Sequence, residues 1–120
     1  REFATKRIFP DEIVCCDVAS VFIPYTDPGL KLAQAIRDEV KKFMAEFAHP
    51  PRVILMENHG LITLGRSIED VLSAMLTAEK TAGIWLGAAT LGGPKFMSAE
   101  NIARMTGRPV DALRRQVLKL

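Results

Sequence analysis

The chain has 120 residues, with 16 lysines and arginines against 14 aspartates and glutamates; 48% of it is hydrophobic and 25% charged. That balance describes one small domain with apolar surface to bury, which excludes intrinsic disorder and a two-domain layout. A net charge of +2 does not call for a nucleic-acid partner, and no apolar run reaches the roughly 18 residues of a membrane span.

No basic start followed by an apolar stretch marks a signal peptide. The opening Arg1-Glu2-Phe3-Ala4 reads as a chain entered in mid-course, so a fragment, a processed protein or an excised domain is expected. The two cysteines, Cys15 and Cys16, are adjacent. They have neither a disulfide framework nor metal-ligand spacing. They are expected to be reduced thiols in or near a strand, in a reducing, cytoplasmic compartment.

Residues 18–25, rich in β-branched and aromatic side chains and ending at Pro24-Tyr25, predict a first strand. Thr26-Asp27-Pro28 is a helix-start signal, with Asp27 as cap and Pro28 in the first turn. The helix is expected to run to about Ala48. Leu32, Ile36, Val40, Phe43 and Phe47 recur at helical spacing and form its buried face. His49-Pro50-Pro51 stops it, because proline disfavours a helical residue before it, and His49 is placed to cap the last carbonyls.

Val53-Ile54-Leu55-Met56 reads as a buried strand and Leu61-Ile62-Thr63-Leu64 as its hairpin partner, with Asn58-His59-Gly60 at the turn. Ser67, three residues before Asp70, resembles a capping box. It predicts a long helix from Ile68 to about Thr90. In its first half Glu69, Asp70, Ser73, Thr77 and Lys80 are expected to face away from Val71, Leu72, Met75 and Ala78. Its second half, residues 82–91, has no charge, and a helix apolar all round is covered on all sides. Gly92-Gly93-Pro94 ends it. Two short helices, 99–105 and 110–119, are expected to follow, which makes the whole a mixed, layered α/β domain.

Among residues able to carry chemistry, His59 stands out. It sits at a turn beside a glycine, and neutral imidazole is both a common metal ligand and an acid or base near neutral pH. A structural turn histidine is the alternative. Glu57, two residues away, can share a strand face with His59 and orient it or act on a water; a solvated strand-end carboxylate is the alternative. Tyr25 reads as a packed loop aromatic. No phosphate loop, dinucleotide fingerprint or serine elbow is present. At the C-terminus Ile102, Ala103, Gly107, Leu113 and Val117 approximate helix-turn-helix spacing. Arg108, Arg114, Arg115 and Lys119 would then meet phosphates, although few side chains of the second helix suit base reading.

The stretch ILMENHGLITLGRSIEDVLSAMLTAEKTAGIW, residues 54–85, resembles the hallmark block of the class II aldolase/adducin family: apolar strand, His-Gly, apolar strand, glycine, then a helix with a Glu-x-x-Ala element, here Glu79 to Ala82. IPYTDPGLKLAQAI, residues 23–36, is similar to the family's preceding segment. Gly-Gly-Pro-Lys at 92–95 and Arg-Pro at 108–109 resemble the aldolase part of bifunctional rhamnulose-phosphate aldolase/short-chain dehydrogenase proteins. The resemblance covers the chain from about residue 18 onward and points to the C-terminal part of the domain.

The resemblance implies an α/β fold, an α/β/α layered sandwich of which residues 1–120 form a part, and a homo-oligomer, usually a tetramer. It implies a divalent metal, commonly zinc, held by an upstream His-x-His pair and by the histidine of the His-Gly step, which is His59 here. The implied reaction cleaves a ketose 1-phosphate to dihydroxyacetone phosphate and an aldehyde. The chain has no His-x-His, its only other histidine is His49, and nothing matches the family's upstream acid/base glutamate. It is therefore expected to be a fragment of a metal-dependent aldolase and not an active enzyme alone. A non-catalytic, adducin-like interaction domain is the first alternative and the C-terminal DNA-binding module the second. No nucleic-acid or membrane partner is part of the main reading.

Overall fold

The computed structural model describes residues 1–106 and 108–117, with only the backbone described at Asp111, Ala112, Arg114 and Arg115. The chain opens with two short helices, α1 (Glu2–Thr5) and α2 (Pro10–Cys16). Pro10 lies at the start of α2, where its missing N–H costs nothing, and Asp11 and Glu12 favour the positive end of the helix dipole. The cysteines are thus in the last turn of α2, packed near the strands but not in one. Seven residues are too few to show a helical period, and the Ile-Val-Cys-Cys run reads locally as β.

Three strands follow: β1 (Val21–Ile23), β2 (Val53–Met56) and β3 (Gly60–Thr63), in that spatial order. β1 and β2 are parallel, with Val21 opposite Ile54 and Ile23 opposite Met56. They are joined through α3 (Leu30–Phe47), the kind of crossover that parallel pairing requires. β3 returns antiparallel to β2, pairing Met56 with Gly60 and Val53 with Thr63. The first strand is shorter than the sequence suggests at both ends: Pro24 has no N–H to extend it, and the Ser20 N–H goes to the Ala4 carbonyl of α1 at 2.8 Å.

The expected face of α3 is the observed one. Leu32, Ile36, Val40, Phe43 and Phe47 pack with Val21, Ile23, Ile54 and Ile62 on one side of the sheet. Its start is different. The helix begins at Leu30 after Gly29, whose φ is +115°, and Asp27 caps nothing. Positive φ at Gly29 breaks the backbone between Pro28 and the helix, conformational freedom that glycine supplies. At the other end Ala48, in the left-handed region at φ +62°, turns its N–H onto the Met44 carbonyl. His49 does not cap the helix: its Nδ1 lies 3.1 Å from the Pro50 carbonyl and 3.4 Å from Asp17 Oδ2.

On the opposite side of the sheet, Val53, Leu55 and Leu61 pack with Cys15 and Cys16 of α2 and with Ala74 and Ala78 of α4 (Ile68–Ala89). Alternate residues of β2 thus feed alternate cores, as a strand covered on both faces must. Helix, sheet and helix make an α/β/α sandwich. Ser67 caps α4 as expected, its Oγ accepting from the Asp70 N–H at 3.1 Å.

The facing of α4 differs from the sequence reading. Asp70, Ala74, Ala78 and Thr81 are buried, whereas Leu72 and Leu76 are more than half exposed and Met75 is exposed too. Small side chains let the helix lie close on the sheet, and Asp70 is drawn inward by an ion pair with Arg52. The uncharged half is likewise open within this chain, with Leu86 76% and Leu91 87% exposed. Two helices close the chain, α5 (Ala99–Thr106) and α6 (Pro109–Val117). α5 buries Met105, while Val110, Leu113 and Val117 of α6 are exposed.

Candidate functional site at the ends of β1 and β2

Parallel strands β1 and β2 finish at the same edge of the sheet, and the segments leaving them meet there. In open α/β sheets this carboxyl edge is where ligands bind. The β2–β3 turn is tight: Asn58 adopts φ +58° and Gly60 φ +135°, and the His59 N–H donates to the Met56 carbonyl at 3.1 Å. Asparagine and glycine tolerate these angles where branched residues do not. The turn leaves both Glu57 and His59 exposed.

His59 nonetheless has a fixed environment. Its Nε2 lies 3.1 Å from the Thr26 carbonyl, and its ring stacks on Tyr25 with centroids 5.7 Å apart and planes 14° from parallel. A carbonyl oxygen can only accept, so Nε2 carries the proton in the neutral ring and Nδ1 keeps its lone pair. The Tyr25 hydroxyl donates to Asp27 Oδ1 at 3.2 Å, which gives Asp27 a role in the loop in place of the expected cap.

Glu57 takes a different position from the one its spacing suggests. Its backbone N–H continues the parallel ladder onto the Ile23 carbonyl at 3.0 Å. Its carboxylate accepts from the backbone N–H of Tyr25 at 2.9 Å. The two strand ends are therefore tied together twice by one residue, and Tyr25, Thr26, Asp27, Glu57 and His59 form a single cluster.

Tested as a metal centre, this cluster supplies one clear donor, His59 Nδ1. Among the described residues no group of three His, Cys, Asp or Glu is placed to hold an ion, and a catalytic zinc site usually takes three protein ligands. The carboxylates of Asp27 and Glu57 are already engaged with Tyr25. The residues here thus fit one arm of a metal site and not a whole one.

A separate cleft of about 830 Å³ opens near the other end of β2, lined by His49, Arg52, Leu64, Arg66 and Asp70 among others, and includes none of the His59 cluster. Within it Arg52 pairs with Asp70, and His49 Nδ1 lies 3.4 Å from Asp17 Oδ2. The proposed turn of the C-terminal DNA-binding module, Gly107, and Lys119 lie outside the described residues, as do the side chains of Arg114 and Arg115. Ala103, which that arrangement needs as a helix-packing residue, is exposed.

One buried group escaped the sequence reading. Arg7 is 1% exposed. It donates to the carbonyls of Asp17 at 2.6 Å and Lys6 at 3.1 Å and to Ser20 Oγ at 3.0 Å. It also lies 3.5 Å from Glu12 Oε1. Burial lowers the Arg7 guanidinium and raises the Glu12 carboxyl, the pairing offsetting part of each shift. No motif flags Arg7, because its partners are mostly backbone carbonyls.

Comparison with known proteins accords with this geometry. The sequence model of the class II aldolase and adducin N-terminal domain matches residues 3–86, from α1 through most of α4, so the resemblance begins earlier than residue 18 and stops before α5. No curated protein matches. Among solved structures the chain is similar to YgbL of Escherichia coli, titled a candidate aldolase/epimerase/decarboxylase. The identity is 21% and the TM-score 0.58, with 83% of this chain and 44% of that one covered. The chain thus spans less than half the length of that structure, and the likeness is one of fold. With the match extending over residues 3–86, which include the loop of Tyr25 and the turn of His59, the chain belongs to the class II aldolase and adducin N-terminal domain family.

Proposed function

We propose that the chain is part of a divalent-metal-dependent class II aldolase, with His59 as one metal ligand, that cleaves a ketose 1-phosphate to dihydroxyacetone phosphate and an aldehyde. The observation that carries this reading is His59 itself, held at the carboxyl edge of the sheet with Nε2 engaged by Thr26 and Nδ1 left with its lone pair. Donation of the opposite nitrogen to a carbonyl is the usual way a ligating imidazole is oriented. The chemistry a zinc ion supplies when bound is Lewis-acid polarisation of the oxygens beside the breaking carbon–carbon bond. The chain's own contribution is to hold the imidazole in one tautomer beside Tyr25. The further ligands and the acid/base carboxylate would come from outside the described residues. Assembly into a homo-oligomer, and residence in the cytoplasm, belong to the same proposal.

His59→Ala tests it in the full-length gene product. Bound zinc should fall below one ion per chain, and retro-aldol turnover of ketose 1-phosphates should drop by roughly a hundredfold or more, since even outer partners of a ligand cost 10–100-fold. Unchanged metal content and turnover would overturn the proposal. The exposed Leu72, Leu76 and Leu86 of α4 favour a second reading, a non-catalytic, adducin-like interaction domain. A stable oligomer of the full-length protein that binds no metal would select it.

A further inference from the structure

The Glu57 carboxylate has no part in the function proposed above. It lies on the exposed strand end two residues from His59, yet it does not hydrogen-bond the imidazole. It reaches across to the other strand and accepts the Tyr25 N–H at 2.9 Å. That amide belongs to the residue that stacks on His59, and the carbonyl of the following residue, Thr26, is the one facing His59 Nε2 at 3.1 Å. A carboxylate accepting a backbone N–H makes a stronger hydrogen bond than a neutral acceptor. One peptide unit, Tyr25–Thr26, separates the two bonds, and two further bonds restrain the loop across it: the Thr26 hydroxyl donates to the Pro24 carbonyl at 3.0 Å and the Tyr25 hydroxyl to Asp27 Oδ1 at 3.2 Å.

We infer that Glu57 is a positioning residue for His59, acting through the Pro24–Asp27 loop. Its carboxylate fixes the Tyr25 amide, the fixed loop aims the Thr26 carbonyl at Nε2, and the imidazole is thereby held as the Nε2–H tautomer with Nδ1 as the free donor. The inference rests on reading His59 as the reactive imidazole, and it is tested without metal or substrate.

The test uses the full-length gene product, freed of metal and labelled with nitrogen-15, at a pH where imidazole is neutral. The tautomer is read from the two ring-nitrogen shifts, and solvent exchange is measured at the His59 Nε2–H and the Tyr25 amide. Wild type should show Nε2 protonated and both hydrogens protected. Glu57→Ala should speed exchange at both sites by roughly fivefold, the effect of losing one ordinary hydrogen bond. It should also move the ring shifts toward those of an unconstrained imidazole. Glu57→Gln, whose side-chain carbonyl still accepts from the Tyr25 amide, should restore the wild-type tautomer and most of the protection. Fast exchange at Tyr25 alone, with His59 unchanged in Glu57→Ala, would overturn the inference, because the coupling would then stop at the loop. A glutamine variant that behaves like the alanine one, or a wild-type ring protonated on Nδ1, would overturn it as well. Failure of the aldolase proposal would appear instead in metal content and turnover, leaving these shifts untouched.

Discussion

Cys16 and Cys15 are neighbours with different surroundings. Cys16 is 3% exposed and its Sγ approaches the Ala74 carbonyl at 3.5 Å. Burial pushes its thiol up to about 12, against a smaller opposing pull from Arg7. The thiolate is the nucleophile, so at pH 8 Cys16 holds almost none of the reactive form. Cys15, on the same helix turn, is only half-buried and so open to reagent in the native protein. Iodoacetamide at pH 8 should therefore label Cys15 in the native protein and reach Cys16 only when denaturant opens the fold, with mass spectrometry of tryptic fragments as the readout. Equal native labelling of both would mean that α2 does not pack on Ala74 as observed.

The N-terminal elements are joined by charge as much as by apolar contact. Arg7 gathers carbonyls from α1, from the link to α2 and from the end of α2, while Glu12 accepts the Ile8 N–H at 2.8 Å. Losing one partner of a buried pair leaves an uncompensated charge, which typically costs about 3–5 kcal/mol. Glu12 also gives stability a pH dependence of defined sign. Burial raises its carboxyl above the ordinary 4.5, so between that value and its folded value the native state holds more protons than the unfolded one. Stability is then fully present below 4.5 and falls as pH rises through the folded value. Chemical denaturation across this range should show the decline. Glu12→Gln, which keeps an acceptor for the Ile8 amide, should flatten it; an unaltered slope would assign the dependence to other groups.

At the scale of the whole molecule, the sheet is covered by α3 on one side and by α2 and α4 on the other, yet α4 turns a row of large apolar residues outward. Ile68, Leu72 and Leu76 recur every fourth residue and are 83%, 53% and 56% exposed, so they line one exposed face. Contiguous exposed apolar surface of this kind marks an interaction site. The proposed homo-oligomer would bury it. Sedimentation should then show wild type above monomer mass. Leu72→Glu combined with Leu76→Glu should return it to monomer while leaving the fold intact, because neither side chain belongs to either core. A wild-type monomer at high concentration would remove this face from the assembly.

The sequence by itself determined the local and periodic features. The face of α3, the burial of β2, the Ser67 cap and the Asn-His-Gly turn each follow from spacing within a few residues. So did the family resemblance, carried by residues 54–85. Periodicity placed Ala78 correctly but misjudged the rest of α4, where Ala74 and Thr81 bury and the leucines do not. Hydrophobicity says which residues can be buried, whereas the closeness of the sheet decides which size of side chain fits. Only tertiary structure decided the pairings between distant residues. Arg52 meets Asp70 across 18 positions, Tyr25 meets Glu57 across 32 and Thr26 meets His59 across 33. Such contacts have no local signature, because a hydrogen bond between two strand ends depends on the register of the sheet and not on neighbours in the chain.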